Sequence, residues 1–238
     1  KIMKAIFGNG PKDEKQIGFG VYKKYGIGEE GFNIVSNQFS IHYFFKDIIT
    51  INNFVRNVSE CCKVGGHFIG TTYNGEKIYN KLEQISKNES INIMEGDKKL
   101  WEITKRYENL PEGFKDDPVC LGLQIDVYQE SINKVFPEYL VNFEYFTSLL
   151  EHYGFVLLTN EEANKVGFDK SLGSFEDLYD NMSKETKQYK HARKYYGKAG
   201  EMNINEKSIS FLNNYFIYKK IRDVETESVF NTQTKEII

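Results

Sequence analysis

Residues 32–73 constrain the fold more than any other stretch. "FNIVS" (32–36) reads as a strand, "DIITINNFVRNVSECC" (47–62) as a helix and "HFIGTT" (67–72) as a second strand. In the helix Ile48, Ile51, Val55, Val58 and Cys62 recur at three- and four-residue steps, giving one apolar stripe, and Asp47 is placed to cap its start. The glycines of "KVGG" stand where a helix stop is expected. A strand–helix–strand unit of this size is the signature of a parallel pair of strands with a crossover helix, so the chain is α/β. Open sheets of this class bind ligands beyond the carboxyl ends of their strands. Residues 37–43 follow the first strand and "GTTYN" (70–74) ends the second, so both should border one crevice.

The flanking segments read less regularly. "KAIFG" (4–8) suits a short buried strand, and residues 9–31, with six glycines and many charges, a long surface loop. Residues 74–86 suit a helix with Ile78 and Leu82 inward. "LWEITKRYE" (100–108) and "LGLQIDVYQ" (121–129) alternate inward and outward, which points to antiparallel pairing. "PEYLVNFEYFTSLLEHYG" (137–154) is expected to be one helix, with Leu140, Phe143, Phe146, Leu150 and Tyr153 on or near one face. Glu138 then falls in its first turn, where the helix dipole favours a carboxylate. "FVLLT" reads as a strand, residues 173–197 as a polar helix and residues 210–221 as the last strand. No repeat or linker divides the chain. Residues 1–221 are therefore expected to form one unit, and 222–238 a polar, frayed tail. Trp101 is expected at a sheet edge, and Cys61 and Cys62 to pack at a helix end.

Several classes fall away. The net charge is −3, so the chain is no basic nucleic-acid binder overall, and an RNA contact must come from a local patch. "KQYKHARKYYGK" (187–198) is one such patch, although such a run is usually a solvated helix face. Three cysteines without zinc spacing suit a reducing, intracellular compartment. No apolar run approaches the roughly 18–20 residues of a membrane span. "GIGEEG" (26–31) satisfies the dinucleotide pattern G-x-G-x-x-G, but a loop precedes it and a strand follows, the reverse of the required order. His67, His152 and His191 read as ordinary surface or edge histidines.

"FNIVSNQFSIHYFF", "FVRNVSECCKVGGHFIGTTYN", "PEYLVNFEYFTSLLEHYGF" and "YKHARKYYGKAG…SFLNNYFIYKK" together resemble the mRNA cap guanine-N7 methyltransferases, in order from about residue 4 to residue 221. The combination of "QFxxHY", "GGxFIGTT" and "PEYLV" is far more specific than any one motif. The methyltransferase domains of large-DNA-virus capping enzymes look most similar. The resemblance implies a Rossmann-like class I S-adenosylmethionine-dependent methyltransferase fold, incomplete at its N-terminus, with an antiparallel insertion. It implies S-adenosylmethionine as methyl donor, no metal, and a capped mRNA 5′ end as partner, with other domains or subunits of a capping enzyme as further partners. It also implies no membrane, and a location in a viral factory, a virion or the host nucleus.

By the same resemblance, Gln38 and Tyr43 match positions lining the cofactor pocket. Phe39, Ser40 and His42 match positions bordering the cap guanine, and Glu138 matches the carboxylate that reads it. Asn9 stands where the family usually has an Asp facing the adenine amine; its carbonyl keeps the acceptor. Tyr73 stands where many members have Pro. Asn213 falls where many cellular members place a cap-contacting Tyr, and Tyr215 lies two residues on, on the same strand face. The family's acidic glycine-rich cofactor loop has no counterpart in this sequence. The expected reaction is direct in-line methyl transfer to guanine N7 with no acid–base residue. The alternative is an inactive methyltransferase-like module that binds RNA or stabilises a capping complex.

Overall fold

A computed structural model describes residues 1–235. In chain order the elements are helices α1 (Ile2–Ile6), α2 (Glu14–Ile17) and α3 (Phe19–Tyr22), strand β1 (Phe32–Gln38), α4 (Ile48–Cys61), β2 (Cys62–Tyr73) and α5 (Gly75–Leu82). Strands β3 (Ser90–Glu95), β4 (Lys98–Lys105), β5 (Gln124–Gln129) and β6 (Lys134–Tyr139) follow, then α6 (Phe143–His152), β7 (Phe155–Leu157), α7 (Asn160–Lys165) and β8 (Leu172–Ser174). The described chain closes with α8 (Phe175–Gln188), α9 (Ile204–Ser210), β9 (Asn213–Lys220) and α10 (Thr226–Lys235).

Two sheets result. β1 and β2 run parallel, with Gln38 opposite Thr71 at their carboxyl ends, and α4 crosses between them as the sequence predicts. β9 lies antiparallel to β2, and its far edge is shared by the short strands β7 and β8. α4 buries Ile51, Val55 and Val58 in a core centred on Phe68, Phe146, Phe216 and Tyr218. β3 to β6 form the second sheet, antiparallel throughout. Its inner face alternates as expected for a half-buried sheet: Trp101, Ile103 and Lys105 on β4, and Ile125 and Val127 on β5, are buried. Glycine is required where β1 and β2 close on β9: a Cβ on Gly70 would stand 2.2 Å from the Asn37 carbonyl oxygen and 2.4 Å from the Phe216 ring.

Five local expectations are corrected. Residues 4–8 are not a strand. No neighbouring strand pairs with them, so they satisfy their backbone locally, with Ala5 N–H donating to Lys1 O and Phe7 N–H to Met3 O, within and just past α1. The "KVGG" glycines do not stop α4, because β2 already begins at Cys62. The carbonyls of Ser59 in the last turn of α4 and of Cys62 just past it are met by a buried lysine instead, with Lys220 Nζ donating to each at 2.8 Å. Residues 137–154 are not one helix. Pro137 and Glu138 continue edge strand β6, where a missing N–H is tolerated, and α6 starts only after Asn142, which caps it by accepting from Tyr145 N–H at 2.9 Å. Trp101 is 2% exposed on an inner strand, not at an edge. The tail is helical over Thr226–Lys235 and packs on α4 through Arg56–Glu227 (2.8 Å) and Thr226–Glu60 (2.7 Å). Residues 236–238 lie outside the described residues.

Candidate functional site

Beyond Gln38 the ladder extends one step further, as Phe39 N–H donates to Thr71 O at 2.8 Å. Phe39 does so at φ +50°, a left-handed conformation uncommon for a bulky residue and typical of functional turns. Phe39 is 52% exposed, and its ring meets Phe175 edge-on, with centroids 6.0 Å apart. The turn leads into a 3₁₀ segment, Ile41–Tyr43. This sends His42 inward and leaves Tyr43 exposed beside it, ring centroids 4.3 Å apart.

His42 Nδ1 lies 3.4 Å from Thr72 Oγ1 on β2, and its Nε2 lies 3.7 Å from Glu138 Oε1 on β6. The first sheet therefore supplies the histidine and the second the carboxylate. Both are buried, and neither His42 Nε2 nor Glu138 Oε2 has a hydrogen-bond partner among the described residues. Burial pushes the Glu138 carboxyl up to about 7 and holds the His42 imidazole down to about 4. The Glu138 side chain is thus set apart from any helix dipole. Its strand position, facing the same way as Phe136, is what aims it inward.

These groups face a cavity of about 840 Å³ between the two sheets. Phe39, His42, Tyr43, Tyr73, Glu138 and Asn213 all line it. Tyr73, at the end of β2, accepts hydrogen bonds from Trp101 Nε1 (3.1 Å) and Gln129 Nε2 (2.9 Å). Asn213, at the start of β9, donates through Nδ2 to Ser210 O at 3.0 Å, which leaves its buried Oδ1 unpartnered among the described residues. The chemistry on offer is a roomy, aromatic-walled space with one buried carboxylate and further polar groups without partners among the described residues.

The other expected residues are placed differently. Gln38 is exposed at the carboxyl end of β1, its amide tied to Ser36 Oγ (2.9 Å) and Thr71 Oγ1 (2.8 Å). Ser40 donates to Asn37 Oδ1 at 3.0 Å and is not among the residues lining the cavity. Tyr215 does not reach the cavity. Its hydroxyl donates to Lys170 O at 3.0 Å and its ring packs on Phe168, so a shared strand face did not bring it to Asn213's side of the site. Asn9 is also not brought in. Its segment packs where Phe7 meets Phe32, centroids 5.7 Å apart, at the amino end of β1. At about 3.3 Å per residue, that is roughly 20 Å from Gln38. The residues missed from sequence are Trp101 and Gln129, which hold Tyr73, and Ile209 and Ser210 of α9, which line the cavity beside Asn213. Gln129 was detectable: it is a polar residue at an inward position of the alternating run 123–129.

Across residues 18–221 the chain matches the model of the mRNA (guanine-N(7))-methyltransferase domain. The chain belongs to that family. The "Probable mRNA-capping enzyme" of Acanthamoeba polyphaga mimivirus is 28% identical over 220 residues, covering 83% of this chain and 18% of that protein. The "mRNA cap guanine-N(7) methyltransferase" of Saccharomyces cerevisiae is 26% identical over 198 residues, covering 83% of this chain and 44% of that protein. The chain thus spans less than half the length of either relative. The CcbJ methyltransferase from Streptomyces caelestis superposes with a TM-score of 0.42 at 11% identity, over 82% of this chain and 59% of that one, a likeness too loose to carry function. For this methyltransferase-family chain, the mixed α/β architecture and the parallel β1–α4–β2 unit agree with the Rossmann-like class I fold expected from sequence. Among the described residues no helix is long and apolar enough to cross a membrane.

Proposed function

We propose that this chain forms the cap-binding part of an mRNA cap methyltransferase, which transfers a methyl group from S-adenosylmethionine to N7 of the cap guanine. The observation that carries this reading is Glu138: a buried carboxylate, with Oε2 unpartnered among the described residues, in an aromatic-walled cavity of about 840 Å³. A carboxylate only accepts hydrogen bonds, and guanine offers N1–H and the exocyclic amine side by side as donors. Phe39 and Tyr43, exposed at the rim, supply flat faces that suit the base and the cationic product. Guanine N7 already carries an exposed lone pair, so no base is required, and His42 and Glu138 act by holding the acceptor in place.

When bound, S-adenosylmethionine supplies a methyl group on a sulfonium leaving group. Gln38 and Tyr43 fit the donor's side of the site. Both stand at the carboxyl end of the parallel pair, and Tyr43 adjoins the guanine cavity through His42. Asn9 does not fit, because it lies at the opposite end of β1. Lys187, Arg193, Lys194 and Lys198 are exposed and available to the RNA phosphates. The position of Asn9 favours a second reading, a binding module without methyl transfer, and this reading predicts no S-adenosylmethionine binding by the full-length protein.

The test uses the full-length protein, labelled S-adenosylmethionine and RNA ending in GpppA. Wild type should yield 7-methylguanosine. Glu138→Ala removes two hydrogen bonds to a charged acceptor, and the rate should fall by about 100-fold or more. His42→Ala should fall as well. Near-normal rates in both variants would overturn the proposal.

A further inference from the structure

Residues 187–198 carry five Lys or Arg and no Asp or Glu, in a chain whose net charge is −3. α8 ends at Gln188, and Lys190–Tyr195 follow as a 3₁₀ segment and not as more of the helix. Lys187, Arg193, Lys194 and Lys198 are exposed. Two tyrosines stand out among them, Tyr189 at 47% and Tyr195 at 71% exposure. Lys194 Nζ lies 4.9 Å from the Tyr195 ring centroid, and the Tyr189 and His191 ring centroids are 5.9 Å apart. A solvated face needs the lysines but gives no reason to hold two phenol rings out in water. Tyr196, by contrast, is half-buried, and its hydroxyl donates to Glu185 of α8. That bond folds the segment back along the helix and engages one of the helix's carboxylates.

The course of the chain ties this surface to the cavity. α8 starts at Phe175, which lines the cavity, and its 14 residues carry the chain about 21 Å along the helix axis. Residues 189–202 return along α8, and Asn203 and Glu206 line the cavity again. We propose that residues 187–198 form a track for the body of the transcript. Bases of single-stranded RNA stack on Tyr189 and Tyr195, while Lys187, Arg193, Lys194 and Lys198 meet the phosphates. The track extends the cap reading above, on which it rests for the choice of RNA as occupant. The length of the return path suits about four nucleotides. Stacking accepts any base, so the track imposes no sequence requirement. An acidic protein would satisfy the cations and leave both rings unused.

Binding of a fluorescent, uncapped RNA of about ten nucleotides to the full-length protein, read by anisotropy, tests the track separately from the cap reading. Tyr189→Ala combined with Tyr195→Ala should weaken single-stranded RNA by about 10-fold or more and leave the slope of log affinity against log salt unchanged. Tyr189→Phe with Tyr195→Phe keeps the rings and should bind as wild type does. Replacing Lys187, Arg193, Lys194 and Lys198 by Ala should flatten the salt slope by about 3. A duplex of the same sequence cannot stack its bases on the tyrosines, so the Ala pair should bind it like wild type. No loss in the Ala pair, or an equal loss for single strand and duplex, would overturn the track, as would an unchanged salt slope in the charge variant. Poly-glutamate held as tightly as RNA, and insensitive to the Ala pair, would assign the surface to an acidic protein and overturn the track too. Should the Ala pair not fold, the charge variant alone decides. If these losses appear but wild type does not methylate GpppA, the cap reading falls and the track stands.

Discussion

At the scale of single residues, the pair His42 and Glu138 is set by desolvation more than by mutual attraction. At 3.7 Å they are too far apart for a hydrogen bond, and burial pushes each away from its charged form: Glu138 up to about 7, His42 down to about 4. Near neutral pH the histidine is uncharged and the carboxyl is part-protonated. Tyr43 and Tyr73 also face Glu138; burial, and then its charge, raises both phenols, so both stay neutral beside the carboxyl. Guanine needs the ionised carboxylate, and a proton held by Glu138 must leave on binding. GpppA affinity should therefore strengthen as pH rises through about 7 and weaken towards tenfold per unit below it. Titrations of Trp101 emission between pH 5.5 and 8.5 (roughly the range where this carboxyl changes charge) check this. The slope should vanish in Glu138→Gln.

At the scale of elements, the α4 unit was legible because its apolar residues repeat with a helical period and Asp47 caps it; Asp47 Oδ1 accepts from Thr50 N–H at 2.7 Å. The break at residues 139–142 was not legible. "VFPEYLVNF" is apolar on both sides of the boundary, so periodicity continues through it, and only the capping geometry of Asn142 marks the helix start. The same residue also ties down the preceding loop, with Nδ2 donating to Lys115 O and Asp116 Oδ1, each at 3.0 Å. Asn142→Ala should cost about 2 kcal/mol, since it removes a cap, leaves the buried Tyr145 N–H unmet and releases the preceding loop. Urea unfolding monitored by circular dichroism checks the magnitude. Short terminal segments were misread for a different reason. "KAIFG" has a strand's composition, but strands need neighbours, and sequence does not show which neighbours are present. The polar tail lacked a visible apolar stripe, yet Val229 reaches the main core and Thr234 is buried.

At the scale of the whole molecule, the cavity exists because two sheets of different character face each other. The mixed sheet carrying β1, β2 and β9 brings Phe39, His42, Tyr43, Tyr73 and Asn213, and the antiparallel sheet brings Glu138 and the Trp101–Gln129 support. Most of these residues were visible in sequence through the family motifs. The route by which the second sheet supplies Glu138 and the Trp101–Gln129 support was not, because Glu138 was expected on a helix and Trp101 at an edge. Asn9 and Tyr215 show the converse limit: a matching position does not ensure a shared site when the surrounding packing turns it elsewhere. The central claim is that the Glu138 carboxylate reads a guanine in this cavity. The most direct measurement is the affinity of wild type and Glu138→Gln for GpppA and ApppA by Trp101 emission. Wild type should prefer GpppA by about 100-fold, since adenine offers neither donor to the carboxylate. Glu138→Gln should lose most of that preference. Equal binding of GpppA and ApppA by wild type, or an unchanged preference in the variant, would contradict the account.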